Sequence, residues 1–548
     1  MKHGAAGTLL SPKVHANRRA LLLAVGVGGG ALLLGRPPVA AAHNGDDLPD
    51  AITAVMGKPR YADATWSLLV VDVDSGESLI ELNPDLMSFT GSVRKLYSVG
   101  LALRELGPEH RFTTPVYRTG EIDADGTLAG DLILAAAGDL TFGGRLEADG
   151  EVEFTDFDHN DANNLGTAIL TPQDPLFGLD SLAAKVRDAG ITSVAGDVVV
   201  DDRMFEPFRV PNGNLLITPI LVNENMVDVT VTPTEPGQPA DVGWRPHTEA
   251  FAIDASVATV EDGSPDTVAL SGNGRVECIG SPDCAGTVTG EIPVGYSAPL
   301  SGSPELVQTF RIEEPAAFAR TAFIEALGRA GVTVAAPTVA PNPAALLPET
   351  DGYDPNAMVA EFVSAPYSGD ARLILKVSLN LGANLSLMLF ANERGERTIE
   401  GALAAERAEL VDEIGLPADG FDFPSNGSGS PDSRATPRAT VMLLRDMGAS
   451  DVGALYQAAL PILGVDGSLA SSGVDLPARG HVFAKTGTTL SDGALKAQNL
   501  AGYIDASSGR RLAFALFLND AGPIQAITDV TEVFEDQAVI ANAIYEEY

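Results

Sequence analysis

The chain has 548 residues, 45% hydrophobic and 20% charged. That is ample for large buried cores in about three or four domains, and it excludes a wholly disordered chain. The 35 Lys+Arg stand against 74 Asp+Glu, and a formal net charge of -39 argues against nucleic-acid binding because it repels phosphate backbones. Only 8 of the basic residues are Lys, so a motif that needs lysine draws on a scarce residue. The 7 His leave few ligands for a multi-histidine metal site.

Residues 1–42 read as an export signal. Lys2, Lys13, Arg18 and Arg19 precede the apolar, glycine-rich stretch Ala20–Gly35, and Ala40-Ala41-Ala42 offers a small-residue cleavage site. The Arg18-Arg19 pair suits twin-arginine export to the periplasm or cell wall. The alternative is an N-terminal membrane anchor, although the stretch is shorter than the roughly 20 residues a span needs.

Trp66–Val73 is an apolar, β-branched run, Asp74-Ser75-Gly76-Glu77 is a turn, and Ser78–Leu82 completes a hairpin. Leu96, Val99, Leu103 and Leu106 then recur at helical spacing up to Gly107-Pro108, with Ser92 at the start. From about 114 to 354 short strands alternate with Gly, Asp and Pro turns, broken by helices near 182–189 and 316–330. Pro337–Pro348 reads as a linker. Cys278 and Cys284, the only cysteines, bracket a turn-rich stretch. In an exported protein a local disulfide is the default, worth roughly 2 kcal/mol by chain entropy.

Helical periodicity returns over Asp370–Asn392. Val482–Thr486, Asn499–Ile504 and Leu512–Leu518 are strands, and a helix over about Ile524–Tyr545 closes the chain. The first hairpin and the late strands predict one antiparallel sheet flanked by helices, an α+β class. That domain would comprise 43–113 and 355–548, with 114–354 as a large, mostly β insertion.

Ser92-Val-Arg-Lys95 puts a hydroxyl and an amine on one face of a helix. A desolvated lysine can be the base that a serine nucleophile needs. Alone, the pair is also what a surface helix start with Ser92 as its cap looks like. Lys485-Thr486-Gly487 ends an apolar strand. Lys brings a charge and Thr a hydroxyl, which together suit a carboxylate, and Gly lets a ligand backbone approach. The bland alternative is a strand-end turn with a solvated lysine. Ser378-Leu-Asn380 has a second copy in Ser271-Gly-Asn273, but Ser378 borders a helical segment while Ser271 lies among turn residues.

In this order the three motifs resemble the signature of serine penicillin-recognising enzymes. Phe89-Thr-Gly-Ser-Val-Arg-Lys-Leu96, Gly138-Asp139, Asn223-Glu-Asn-Met-Val-Asp228, Ser364-Ala-Pro366, Asn426-Gly-Ser-Gly429 and Ala484-Lys-Thr-Gly-Thr488 narrow the likeness. From about Trp66 to Asn519 the chain resembles the D-alanyl-D-alanine carboxypeptidase/endopeptidase family, the class C low-molecular-mass penicillin-binding proteins. The 286 residues from Ser92 to Ser378, then 107 to Lys485, resemble that family's insertion of two extra domains in a transpeptidase-like domain. A compact class A β-lactamase has a much shorter first gap. Thr90-Gly91 stands where the family commonly has Pro-Ala, Asn426 where Asp is usual, and Leu379 where Asp or Asn is frequent.

The resemblance implies a serine D-Ala-D-Ala carboxypeptidase, with endopeptidase action left open beside it, acting on peptidoglycan stem peptides that end in D-Ala-D-Ala and acylated by β-lactams. It implies Ser92 as nucleophile, Lys95 as base, Ser378 as proton relay and Asn380 as a holder of the substrate backbone. Lys485 and Thr486 would hold the terminal carboxylate, beside Gly487. The N–H groups of Ser92 and Thr488 would form the oxyanion hole, and no metal or organic cofactor would be needed. The rivals are a β-lactamase on the same fold and a non-catalytic cell-wall-binding protein.

Overall fold

Strands from the two ends of the chain lie side by side in one five-stranded antiparallel sheet. Its order is Ser78–Leu82, Thr65–Asp72, Arg511–Asn519, Ala494–Asp505, Val482–Ser491. Trp66 faces Leu518 and Val70 faces Phe514 across the join. The computed structural model describes residues 48–350 and 352–548, so the signal reading of residues 1–42 lies outside the described residues. Among those residues no helix is long and apolar enough to cross a membrane.

Side chains alternate along a strand, so Arg511–Asn519 feeds two cores. Leu512, Phe514, Leu516 and Leu518 pack with Ile540 and Ile544 of the closing helix Thr528–Glu547. Ala513, Ala515 and Phe517 face the opposite way, into a cluster with Leu96, Val99, Leu444 and Met447. Each fully buried Leu or Phe here is worth about 1.5–3 kcal/mol relative to exposure. The helix Lys95–Leu106 is buried without interruption from Lys95 to Leu103, as a helix surrounded by core must be. Gly107, at φ 86°, ends it.

The periodic stretch 370–392 is not one helix. Tyr367–Val377 stops at Ser378, which takes φ 61°, Leu379 is extended, and Asn380–Asn392 begins a second helix. Leucines on both sides carry the apolar period through the break, which hides it from a pattern reading. A serine in the left-handed region costs roughly 1–2 kcal/mol, and here it turns Ser378 and Asn380 toward one place.

The middle of the chain leaves and returns through paired strands. Thr113–Arg118 runs antiparallel to Met358–Val363, with Thr113 opposite Val363. The return crossing therefore lies at Val363, beyond the boundary at 354 drawn from the sequence. These strands share a four-stranded sheet with Leu132–Ala135 and Val198–Asp201, and the last two pair in parallel. The helices Phe177–Asp188 and Pro315–Arg329 pack in the same apolar cluster. The Pro337–Pro348 stretch is tied down rather than a free linker. Asn342 bonds both N–H and C=O of Val200 at 2.9 and 2.8 Å, and Arg320 donates to the Thr338 carbonyl at 3.0 Å. Cys278 and Cys284 are joined in a disulfide.

A buried ion network stitches this middle block together. Arg145 binds Asp158 at 2.7 Å and also Glu224, and His159 bridges Asp228 at 2.7 Å and Glu224 at 2.9 Å. Asp158, His159 and Glu224 are close enough to share a metal ion. Their ligand atoms are instead engaged with one another and with Arg145. Burial opposes the charge of His159, but Asp228 and Glu224 outweigh it and hold its pKa up at about 10. A doubly protonated imidazole has no lone pair for a metal.

Candidate active site

The segment Gly91–Arg94 is a single tight turn that runs directly into the helix Lys95–Leu106. Three residues of this geometry bring Lys95 Nζ to 2.6 Å from Ser92 Oγ. Lys95 is fully buried. Its Nζ also lies 2.7 Å from Asn380 Oδ1 and 3.3 Å from both Ser378 Oγ and the Ser428 carbonyl. Lys485, on the strand Val482–Ser491, approaches from the other side, with Nζ 2.9 Å from Ser378 Oγ and 3.0 Å from the Thr486 carbonyl. The structure thus brings Ser92, Lys95, Ser378, Asn380 and Lys485 into contact, with Thr486, Gly487 and Thr488 continuing the strand beside them.

Among the described residues no carboxylate bonds to either lysine. Burial first, then the charge of Lys485, pushes Lys95 well below its ordinary range. Burial brings Lys485 down to about 7. Two ammonium groups on one serine hydroxyl cannot both keep their protons cheaply. The arrangement favours a neutral amine at Lys95, able to take a proton, and a charged one at Lys485, able to hold an anion.

Glycines let three backbones meet here. Gly91 has φ 49°, and a Cβ on it would lie 2.7 Å from Gly487 C and Thr488 N. A Cβ on Gly487 would lie 2.2 Å from the Thr90 carbonyl, and one on Gly429 would lie 1.9 Å from the Gly91 carbonyl. The Gly at 91, where the resembled family commonly carries Ala, is therefore required by this backbone.

The Asn426-Gly-Ser-Gly429 loop is held by its own asparagine. Asn426 Oδ1 accepts from Ser428 N at 2.9 Å, Ser428 Oγ at 3.0 Å and Gly429 N at 2.7 Å. A neutral amide does this without burying a charge. Asn384 ties the loop to the Asn380 helix, accepting from Gly427 N and donating to the Asn380 carbonyl, each at 2.8 Å. Sequence reasoning noticed the loop as a motif but missed the Ser428 carbonyl as a contact of Lys95. No side-chain pattern announces a backbone oxygen. It also missed Arg94, wholly buried between the nucleophile and the base and paired with Glu406, because arginine reads as a surface residue.

A cavity of about 590 Å³ opens beside Asn380. Its walls come from Leu379 and Leu381 on one side and from Asp161, Asn225 and Arg311 of the middle block on the other. The middle block thus builds part of the space next to Asn380.

A model of the D-Ala-D-Ala carboxypeptidase 3 (S13) family matches residues 48–538. The chain belongs to this family. It is a serine-type D-Ala-D-Ala carboxypeptidase, and the likeness read from the motifs holds over nearly the whole described chain. It is 27% identical over 524 residues to a D-alanyl-D-alanine carboxypeptidase of an Actinomadura species, covering 90% of this chain and 85% of that one. It is 30% identical over 244 residues to the carboxypeptidase DacB of Mycolicibacterium smegmatis, 43% of this chain and 49% of that one. Among solved structures it resembles penicillin binding protein 4 (dacB) from Haemophilus influenzae, with a TM-score of 0.64 at 18% identity, over 91% of this chain and 100% of that one. The same protein complexed with a β-lactam matches with a TM-score of 0.61 at 18% identity, over 90% and 98%. These structures share the fold, a penicillin-recognising serine hydrolase with helices around an antiparallel sheet.

Proposed function

We propose that Ser92 carries the acyl group in this carboxypeptidase, with Lys95 as its base. The observation that carries the assignment is a fully buried lysine amine 2.6 Å from Ser92 Oγ to which, among the described residues, no carboxylate bonds; burial and Lys485 push its pKa well down against the weaker opposing pull of Asp161. Ser92 Oγ attacks the carbonyl of the penultimate D-alanine of a peptidoglycan stem peptide, and its proton passes to Lys95 Nζ. The N–H groups of Ser92 and Thr488 stabilise the oxyanion, a contribution typically of about 3 kcal/mol per donor. As the C–N bond breaks, Lys95 gives the Ser92 proton up through Ser378, which lies between the two lysines and relays it to the departing amine, so that Ser378 is left protonated and Lys95 neutral. Water then attacks the ester as Lys95 takes its proton, and Lys95 returns that proton to Ser92 Oγ as the ester C–O bond breaks, restoring the free serine and releasing the shortened peptide as its carboxylic acid. Asn380 holds the substrate backbone, and Lys485 with Thr486 holds the terminal carboxylate.

β-Lactams present the same kind of carbonyl and acylate the same serine. Cross-linked peptides offer the same bond with the following residue attached elsewhere, so endopeptidase action needs no other chemistry. The basic and apolar leader would export the enzyme to this substrate, across the cytoplasmic membrane. Mass spectrometry of penicillin-treated protein should place a single adduct on Ser92. Lys95→Ala should slow acylation about 100-fold or more with initial binding kept, as loss of a general base does. An adduct on Ser378 or Ser425, or near-normal acylation without Lys95, would overturn the assignment.

A further inference from the structure

The strand of Lys485 carries a neighbour that the three motifs do not include. Ser468 Oγ lies 2.8 Å from Thr486 Oγ1. Ser468 sits in the short turn Gly467–Leu469, and that turn is held from three directions. Asp466 pairs with Lys376 Nζ at 2.6 Å, and its Oδ1 accepts from Ile462 N at 2.9 Å. Gly467 N donates to Asp156 of the middle block at 2.6 Å. Gly467 takes φ 62°, and a Cβ there would lie 2.7 Å from the Lys376 carbonyl. The preceding segment is stitched to the strand itself. Leu463 N donates to the Val482 carbonyl at 3.0 Å and Ala484 N donates to the Pro461 carbonyl at 2.9 Å. Ser468 is therefore delivered to Thr486 by a fixed backbone.

A threonine hydroxyl has one proton and two lone pairs. If Thr486 donated to Ser468, its proton would point away from an incoming carboxylate, which can only accept. If Ser468 donates to Thr486 Oγ1, the Thr486 proton is free for the substrate, and the two hydroxyls polarise each other in the useful direction. Lys485 Nζ, 3.5 Å from Thr486 Oγ1, carries only donors, so it cannot accept the Thr486 proton, which is left to Ser468 or to the substrate.

We infer that Ser468 is a positioning residue for substrate specificity: it donates to Thr486 and so turns the Thr486 proton toward the free terminal carboxylate. This rests on the reading of Lys485 and Thr486 as the carboxylate receptor. The test compares Ser468→Thr with Ser468→Val, which have the same shape and differ in the hydroxyl. kcat/KM is measured for a peptide ending in D-Ala-D-Ala and for its C-terminal amide. The amide keeps the scissile bond and reports an intact site. Relative to the Thr variant, the Val variant should lose about fivefold to tenfold on the acid and nothing on the amide, the effect of one hydrogen bond between neutral groups. An equal loss on both peptides, or no loss on either, overturns the inference. Wild type and Lys485→Ala separate it from the reading beneath. If wild type cuts both peptides equally, the carboxylate receptor itself is wrong. If wild type prefers the acid, Lys485→Ala abolishes that preference and Ser468→Val keeps it, Ser468 alone is wrongly assigned.

Discussion

Lys95 and Lys485 divide two tasks that a single charge state could not serve. The base must be neutral and the carboxylate partner must be charged. Burial lowers both, and the charge on Lys485 lowers Lys95 further. Below about pH 7 Lys485 is protonated, and above it the charge is lost. For a peptide acid, kcat/KM should therefore fall as pH rises through this range, since kcat/KM follows the free enzyme. The amide should lack this alkaline limb. Removing Lys485 removes the repulsion on Lys95, so Lys485→Ala should move the acid limb of amide hydrolysis to higher pH. Matching alkaline limbs for acid and amide peptides would contradict the division. At this scale the sequence was informative. Ser92, Lys95, Ser378, Asn380 and Lys485 are few chemical types in a fixed order, and lysine is rare enough in this chain to stand out. Ser468 was not legible, because a serine near a threonine across a loop leaves no spacing to find.

The turn that carries the nucleophile is braced from beneath. Arg94 and Glu406 have side chains 0% and 1% exposed, with Arg94 Nη1 2.7 Å from Glu406 Oε1 and a second contact from Nη2. The Arg94 guanidinium also lies 4.0 Å from the Phe423 ring centroid. Such a pair gains little over an apolar pair of equal volume, yet breaking it leaves a charge stranded. Glu406→Ala should therefore cost about 3–5 kcal/mol and lower the thermal midpoint. Arg94→Met combined with Glu406→Leu should recover most of it. A double variant as unstable as the single one would show that the charges themselves are needed. The helix break at Ser378 belongs to this scale too. Helix-forming leucines on both sides dominated the pattern, and the left-handed residue that ends the first helix is a serine rather than the glycine that would have flagged it.

Across the whole molecule, a body with net charge -39 has to accept a substrate that ends in a carboxylate. The two site lysines act at contact, while the acidic surface acts at long range. Salt screens the second far more than the first. With a peptide whose only charge is that carboxylate, kcat/KM should rise as sodium chloride goes from about 10 mM to about 150 mM, where the Debye length is about 8 Å. The corresponding neutral amide should change little. A fall with added salt would mean that the lysines, not the surface, govern approach. The architecture was legible at this scale because the terminal strands are apolar and the middle is rich in turns. The exact return point was not, since Met358–Val363 reads like any other short strand and is placed only by its partner Thr113–Arg118.

That partnership between chain ends has a consequence for synthesis. Phe89 N bonds to Asn519 Oδ1 across 430 residues of sequence. At about 5–20 residues per second, the first hairpin must wait roughly 20–90 s for the strand that pairs with it. During that interval Thr65–Asp72 has an open edge and apolar faces with nothing to cover them. Most of the block between Thr113 and Val363 has no such delay, because its stem strands close on each other and its main apolar cluster, drawn from residues 116–362, is complete when Val363 emerges. The nascent chain therefore passes through a stage in which the interrupting segment is built and the interrupted one is not. Any factor that guards this protein during its production has a defined client: one waiting hairpin near the N-terminus.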